Sequence, residues 1–192
     1  MKRTVGIAVV FISVFSVFGQ EKNTINIVEQ NTIYAEAFGH GFCYSINYDR
    51  LFNTEKRFKN SFTAGFVYVP ESIGFGDGIY LGIPVSYNWL LGKKSHHFEL
   101  GIGLTSLLVN PNSNVGNDSY TYMTPKIGYR FQRPNGGLFF RATVTPMIAI
   151  LNVSSIKYNN ETYRQFSTLN NVAGLGYAAF PWPGLSMGYT FK

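Results

Sequence analysis

Large apolar and small or polar residues alternate along most of this chain with a period of two. From Phe98 to Thr105 every second residue is large and apolar (Phe98, Leu100, Ile102, Leu104), and those between are Glu99, Gly101, Gly103 and Thr105. The same alternation sets Leu81, Ile83, Val85, Tyr87 and Trp89 against Tyr80, Gly82, Pro84, Ser86 and Asn88. It recurs with Met123, Pro125, Ile127, Tyr129 and Phe131 on one face, with Leu138, Phe140, Ala142, Val144 and Ile148 on another, and with Leu185, Met187, Tyr189 and Phe191 at the end. Successive side chains of a strand point to opposite faces, so this period predicts strands with one greasy face.

Strands are predicted at 32 to 52, 61 to 69, 78 to 90, 97 to 108, 119 to 132, 138 to 150, 168 to 180 and 184 to 191. The connections between them are Asn53 to Asn60, Pro70 to Asp77, Gly92 to His96, Asn110 to Asp118, Arg133 to Gly137, Asn152 to Gln165 and Pro181 to Gly184, all rich in turn-forming residues. In the first segment, Glu36 and the later Tyr44, Ile46 and Tyr48 fall on opposite faces only if the parity shifts at Gly39-His40-Gly41. A bulge there is the simplest repair and keeps eight strands; a hairpin at the same place would give nine.

The identity of the polar face discriminates between barrel types. A water-soluble barrel turns its polar face to solvent and fills it with Lys, Glu and Asp, whereas here Gly, Ser, Thr and Asn dominate. Small polar residues suit a narrow filled lumen, and large apolar ones suit lipid. The expected fold is therefore all-β: a single antiparallel up-and-down transmembrane β-barrel of about eight strands, closed because an open edge in hydrocarbon would leave backbone groups unpaired. Composition agrees, with 17% aromatic and only 14% charged residues, against about 25% charged in an ordinary soluble domain.

The N-terminus breaks the pattern. Lys2 and Arg3 precede an apolar run from Thr4 to Phe18, too short for a spanning helix, which needs roughly 20 apolar residues. Residues 1–19 read as a cleaved signal peptide ending at Gly19, and residues 20–192 as the barrel domain. Location in the cell outer membrane follows. No later apolar stretch approaches the length of a helical span. With Lys2 and Arg3 removed from the 16 basic residues, 14 remain against 10 acidic ones. So mild and scattered a surplus argues against nucleic acid as a partner.

Several stretches carry a family likeness: Asn31 to Arg50 (NTIYAEAFGHGFCYSINYDR), Ile83-Pro84-Val85, His97 to Gly101, Gly137 to Ala142, and Pro181 to Tyr189. Together they resemble the small outer-membrane β-barrel proteins of the Bacteroidota, over most of the mature chain. The resemblance implies a fold and a location and carries no catalytic residues. The terminal Gly188-Tyr189-Thr190-Phe191 is similar to the aromatic-ended signal read by the barrel-assembly machinery, with Lys192 as a departure.

The assignment of faces also places the charges. Glu36, Asp49 and Glu99 point inward together with Lys126, Arg130 and Arg141. Three acids balance three bases, and charges in a narrow lumen must pair or bear a desolvation penalty of several kcal/mol each. A salt-bridge network that plugs the barrel is expected, with a structural or interaction role and no general pore. The alternatives are a barrel that binds or transports a small ligand and a lipid-modifying enzyme. For the enzyme, His40, Ser45, Asp49 and Glu36 lie within one segment, but Ser45 stands in no nucleophile motif, so no catalytic residue is assigned. His96 and His97 are adjacent and point to opposite faces, so they cannot share a metal. Cys43 is the sole cysteine, which excludes an intrachain disulfide. No cofactor or metal is expected.

Tyr34, Tyr87, Trp89, Tyr129, Trp182 and Tyr189 suggest interfacial girdles. Lys56, Arg57, Lys59, Lys93 and Lys94 sit in tight connections, and if those are outside they could meet lipopolysaccharide phosphates. Membrane lipid and lipopolysaccharide are thus the expected partners. One conflict follows from the strand division: bacterial barrels keep short turns in the periplasm, but eight strands beginning at 32 place the tight connections outside.

Overall fold

The computed structural model describes residues 30–54, 57–71, 78–110, 118–158, 161–168 and 180–192. The proposed signal peptide lies outside them. The strands are β1 (Asn31–Phe38), β2 (Tyr44–Phe52), β3 (Phe58–Val69), β4 (Ile79–Lys93), β5 (His96–Asn110), β6 (Asp118–Met123), β7 (Lys126–Gln132), β8 (Gly137–Tyr158), β9 (Glu161–Thr168) and β10 (Phe180–Phe191). A single 3-10 turn, Gly39–Gly41, joins β1 to β2.

All pairings are antiparallel, and each strand follows its predecessor around the sheet until β10 pairs with both β8 and β1 and closes it. Strands β6 and β7 occupy one position in the ring. Both lie between β5 and β8, and they are separated only by Thr124-Pro125, where Thr124 still exchanges backbone hydrogen bonds with Gly103. Pro125 has no N–H to give a ladder, which accounts for the break. Counting this pair once, the ring has eight positions: β1, β2, β3, β4, β5, β6 with β7, β8 and β10. Above the ring, β8 carries on to Tyr158 and pairs with β9.

The number eight stands, but its division differs from expectation in three places. First, 32 to 52 is a hairpin and not one bulged strand: Glu36 pairs with Ser45 and Ala37 with Tyr44. Phe38, Gly39 and Phe42 all have positive φ, near 60°, 61° and 68°, and the Phe38 N–H donates to the Cys43 carbonyl at 2.7 Å. Residues in that backbone region reverse the chain, which a one-residue bulge would not do. Second, the expected connection Asn152 to Gln165 is largely the β8–β9 ladder, from Leu151 opposite Thr168 to Tyr158 opposite Glu161. Third, Pro181 to Gly184 is not a turn but the upper part of β10. Above Gly184 this strand pairs with β8 alone, and on an edge a missing N–H costs no ladder bond. Of the expected strand at 168 to 180, residues 169–179 lie outside the described residues.

The hairpin also removes the conflict over loop lengths. Asn31 and Phe191 are paired, so both ends of the barrel domain lie at one rim. With β1 and β2 separate, the β2–β3, β4–β5 and β7–β8 turns all fall at that same rim.

The partition of side chains is inverted relative to a water-soluble protein. Among the described residues the large hydrophobics Ile46, Met187 and Ile83 are 65%, 64% and 60% exposed, while buried polar and charged residues far outnumber buried apolar ones. The outer surface is a continuous apolar belt of the kind that strands of membrane barrels turn to lipid. The core is the lumen.

Candidate functional site

Directly opposed residues in an antiparallel ladder share a face, so inward positions of neighbouring strands meet inside the barrel. One such pair puts two arginines together: Arg130 on β7 faces Arg141 on β8. Like charges in this position repel, and the structure resolves the conflict by sending the two guanidinium groups in different directions. Arg130 turns toward the terminal rim, where Nη2 donates to Asp49 Oδ1 at 2.5 Å, Nη1 to Ser61 Oγ at 3.2 Å and Nε to Gln132 Oε1 at 2.9 Å. Arg141 turns the other way, and its Nη2 donates to Glu36 Oε1 and to the Tyr34 hydroxyl, both at 2.9 Å.

Glu99 sits between them as the hub. Its Oε1 lies 3.3 Å from Arg141 Nη1 and 3.7 Å from Lys126 Nζ, and its Oε2 lies 3.8 Å from Arg130 Nη1. Lys126 also donates to Ser86 Oγ at 3.0 Å, and its stem fits because Gly101 opposite has no side chain: a Cβ there would come within 2.6 Å of Lys126 Cε. The six charges thus form one connected chain, Asp49–Arg130–Glu99–Arg141–Glu36, with Lys126 branching from Glu99. Arg130, Arg141, Asp49 and Glu99 are all 0% exposed. Such partners offset much of the cost of burying guanidinium and carboxylate groups, while Glu99 Oε2 and Arg141 Nε have no hydrogen-bond partner among the described residues.

Two aromatic rings pack against this network. Tyr34 stacks on Phe139 with centroids 5.2 Å apart, Arg141 lies 4.6 Å from the Tyr34 ring, and Arg130 lies 4.9 Å from the Phe139 ring. The paired rings therefore stand between the two like charges and offer a π face to each. Toward the terminal rim the polar layer gives way to Leu51 and Leu90, and toward the other end to Val67, Val69 and Leu107.

Some inward residues were not singled out from the sequence. Tyr34 was assigned to a girdle, but it shares the inward face with Thr32 and Glu36. Lys59 was placed in a connection; β3 begins at Phe58, so Lys59 shares the inward face with Ser61 and Thr63. His97 is buried and faces Arg130 across the ladder, while His96 is outward beside the Tyr129 hydroxyl at 2.5 Å. Extending the alternation of the strand from 61 back by two residues marks Lys59, and Tyr34 already shares the parity of Glu36 within the strand from 32. Of the other girdle candidates, Tyr87, Trp89, Tyr129 and Tyr189 point outward, and Trp182 is half-buried.

The turn between β1 and β2 folds into the lumen. His40 is buried, its Nδ1 touches Glu36 Oε2, and its carbonyl accepts from the Thr105 hydroxyl at 2.7 Å. Of the four residues weighed as an acid–base–nucleophile set, Glu36 and His40 meet, while Asp49 is held by Arg130 and by the Thr63 hydroxyl at 2.8 Å. The Ser45 hydroxyl accepts from Asn47 Nδ2 at 2.7 Å, and His40 Nε2 has no hydrogen-bond partner among the described residues.

No protein-family model matches the chain, and no curated protein sequence matches it. Among solved structures the chain is similar to a major outer membrane protein from Thermus thermophilus. The TM-score is 0.56 at 10% identity, covering 85% of this chain and 99% of that one. At that identity the likeness is one of fold: an antiparallel barrel of the outer-membrane type.

Proposed function

We propose that this chain is an outer-membrane β-barrel protein of structural or interaction type, with its lumen closed by side chains and no general pore. The observation that carries this reading is the ion-pair chain from Asp49 to Glu36, which crosses the lumen with its charged groups shielded from solvent. An eight-position barrel is only wide enough for side chains to fill, and here they are joined to one another. The apolar outer belt and the similarity to an outer membrane protein support the location. The outward series Leu185, Met187, Tyr189, Phe191 on β10 fits a C-terminal strand handed to the assembly machinery.

In this reading the rim bearing both ends and the three short turns faces the periplasm. Lys93 and Lys94 then lie on the periplasmic side, away from lipopolysaccharide, and Lys59 lies in the lumen; Lys56 is outside the described residues. Lipid is the partner that the outer belt meets.

The direct test is conductance in planar bilayers. The intact protein should show no steady single-channel current, and a large steady conductance would overturn the closed-lumen reading. Sidedness is tested on cells carrying Cys43→Ser with a new cysteine at Glu71 or at Lys94. A membrane-impermeant thiol reagent should label the first and spare the second.

A further inference from the structure

The wall of the barrel is much lower on one side than on the other. Strands β1 and β2 are short, and their turn bends inward instead of extending the wall. With β1 spanning 8 residues, a rise of about 3.4 Å per residue and a tilt of about 40° give a height of roughly 18 Å, below the roughly 25 Å of an apolar membrane band. By the same rule the 15 residues of β5 reach about 36 Å.

On either side of the low section the neighbours stand higher. The β2–β3 ladder stops at Ile46 opposite Phe66, while β3 continues through Val69 paired only with β4. The β1–β10 ladder stops at Phe38 opposite Gly184, while β10 continues up to Phe180 paired only with β8. Among the described residues a notch about two strands wide and three to four residues deep is left between Val67–Val69 and Phe180–Pro183.

Two features suit this notch to hydrocarbon. Its floor is a row of aromatic rings: Phe38 stacks on Trp182 at 6.0 Å, Trp182 meets Phe42 at 5.7 Å, and Phe42 stacks on Tyr80 at 6.4 Å. Phe38 and Phe42 hold these places with positive φ, a backbone conformation that persists in such residues only where the surroundings enforce it. The second feature is the β10 edge. Pro181 stands directly opposite Pro146, and neither it nor Pro183 has an N–H to leave without a partner on this edge. An unpaired strand edge in hydrocarbon leaves costly free donors and acceptors, and Pro181 and Pro183 each bring an acceptor but no donor.

From this geometry we infer that the notch is a lateral binding site for one acyl chain of a bilayer phospholipid, which enters from the side and lies on the Phe38–Trp182–Phe42–Tyr80 row. The rim residues Ile46, Phe66 and Leu185 belong to the outward belt, so the notch is continuous with the surface that meets lipid. The site holds whether or not the polar lumen below it conducts.

The test uses the full chain in phosphatidylcholine vesicles, with a photoreactive benzoylphenylalanine in place of Tyr80, which lines the notch from the inside. Outward Ile46 and inward Leu51, near the opposite rim, carry the same group as references. Acyl-chain adducts at position 80 should come within about 3-fold of position 46 and exceed position 51 by about 10-fold. Adducts at position 80 no more frequent than at 51, or adducts only with free fatty acid, would overturn the site. Should the Tyr80 variant fail to fold, Trp89→Phe leaves Trp182 as the only tryptophan. Its emission should fall at least 2-fold in vesicles of phosphatidylcholine brominated along the chain; unchanged emission overturns the site.

Discussion

Glu99 is the residue on which the interior depends most, because three cations lean on one carboxylate. Replacing it by Gln would leave Arg130, Arg141 and Lys126 close together without their shared anion. Breaking a buried ion pair by removing one partner costs about 3–5 kcal/mol, since the remaining charge stays buried. Glu99→Gln should therefore destabilise the barrel by an amount of that order in a urea titration of the detergent-solubilised protein. Adding Lys126→Met should return part of the loss, because groups sharing one partner are not additive. Equal and additive losses would show that the hub is only a geometric coincidence. The charged residues of this network are legible one by one from the parity of each strand. Their connectivity is not, because it depends on which way each guanidinium turns.

At the scale of elements, the turn between β1 and β2 decides the topology. Gly39 has φ near 61°, and a Cβ there would also meet Glu36 Oε1 at 2.6 Å. Gly137 at the start of β8 has φ near 97° but open space around it. Gly39→Ala should thus cost more than Gly137→Ala: the latter bears only backbone strain of about 1–3 kcal/mol, and the former adds displacement of the carboxylate that binds His40 and Arg141. Comparing unfolding midpoints of the two variants measures the difference. The alternation registered the event at Gly39-His40-Gly41 as a change of parity, but parity cannot distinguish a bulge from a reversal. Both shift the faces by one residue, and only the pairing of Glu36 with Ser45 separates them. In the same way Pro181 and Pro183 read as turn residues because proline is barred from paired strands. The structure admits them because that stretch of β10 has a neighbour on one side only.

Over the whole molecule, the outer belt sets a depth-dependent tolerance for charge. Ile102 lies midway along β5 and Phe98 near its lower end, both outward. An arginine facing lipid costs about 2–4 kcal/mol at the bilayer midplane and about 0–1 near the interface. Ile102→Arg should lower the unfolding free energy in vesicles by the larger amount and Phe98→Arg by the smaller, and equal effects would argue against this orientation in the membrane.

The sequence by itself determined that the chain forms strands with one inward and one outward face, because a period of two is a local property of the chain; the count of eight agrees although 32 to 52 supplies two ring positions and 168 to 180 adds none among the described residues. The sequence also placed Glu36, Asp49, Glu99, Lys126, Arg130 and Arg141 on the inward faces, since that follows from parity within each strand, but not Lys59, which lies before the strand the pattern marks. The tertiary structure decided what depends on partners: the hairpin in place of a bulge, the rim on which both ends lie, and the joining of six charges through Glu99. It decided the low wall as well. A strand's length relative to its neighbours is fixed by where the pairing stops, and no single strand carries that information.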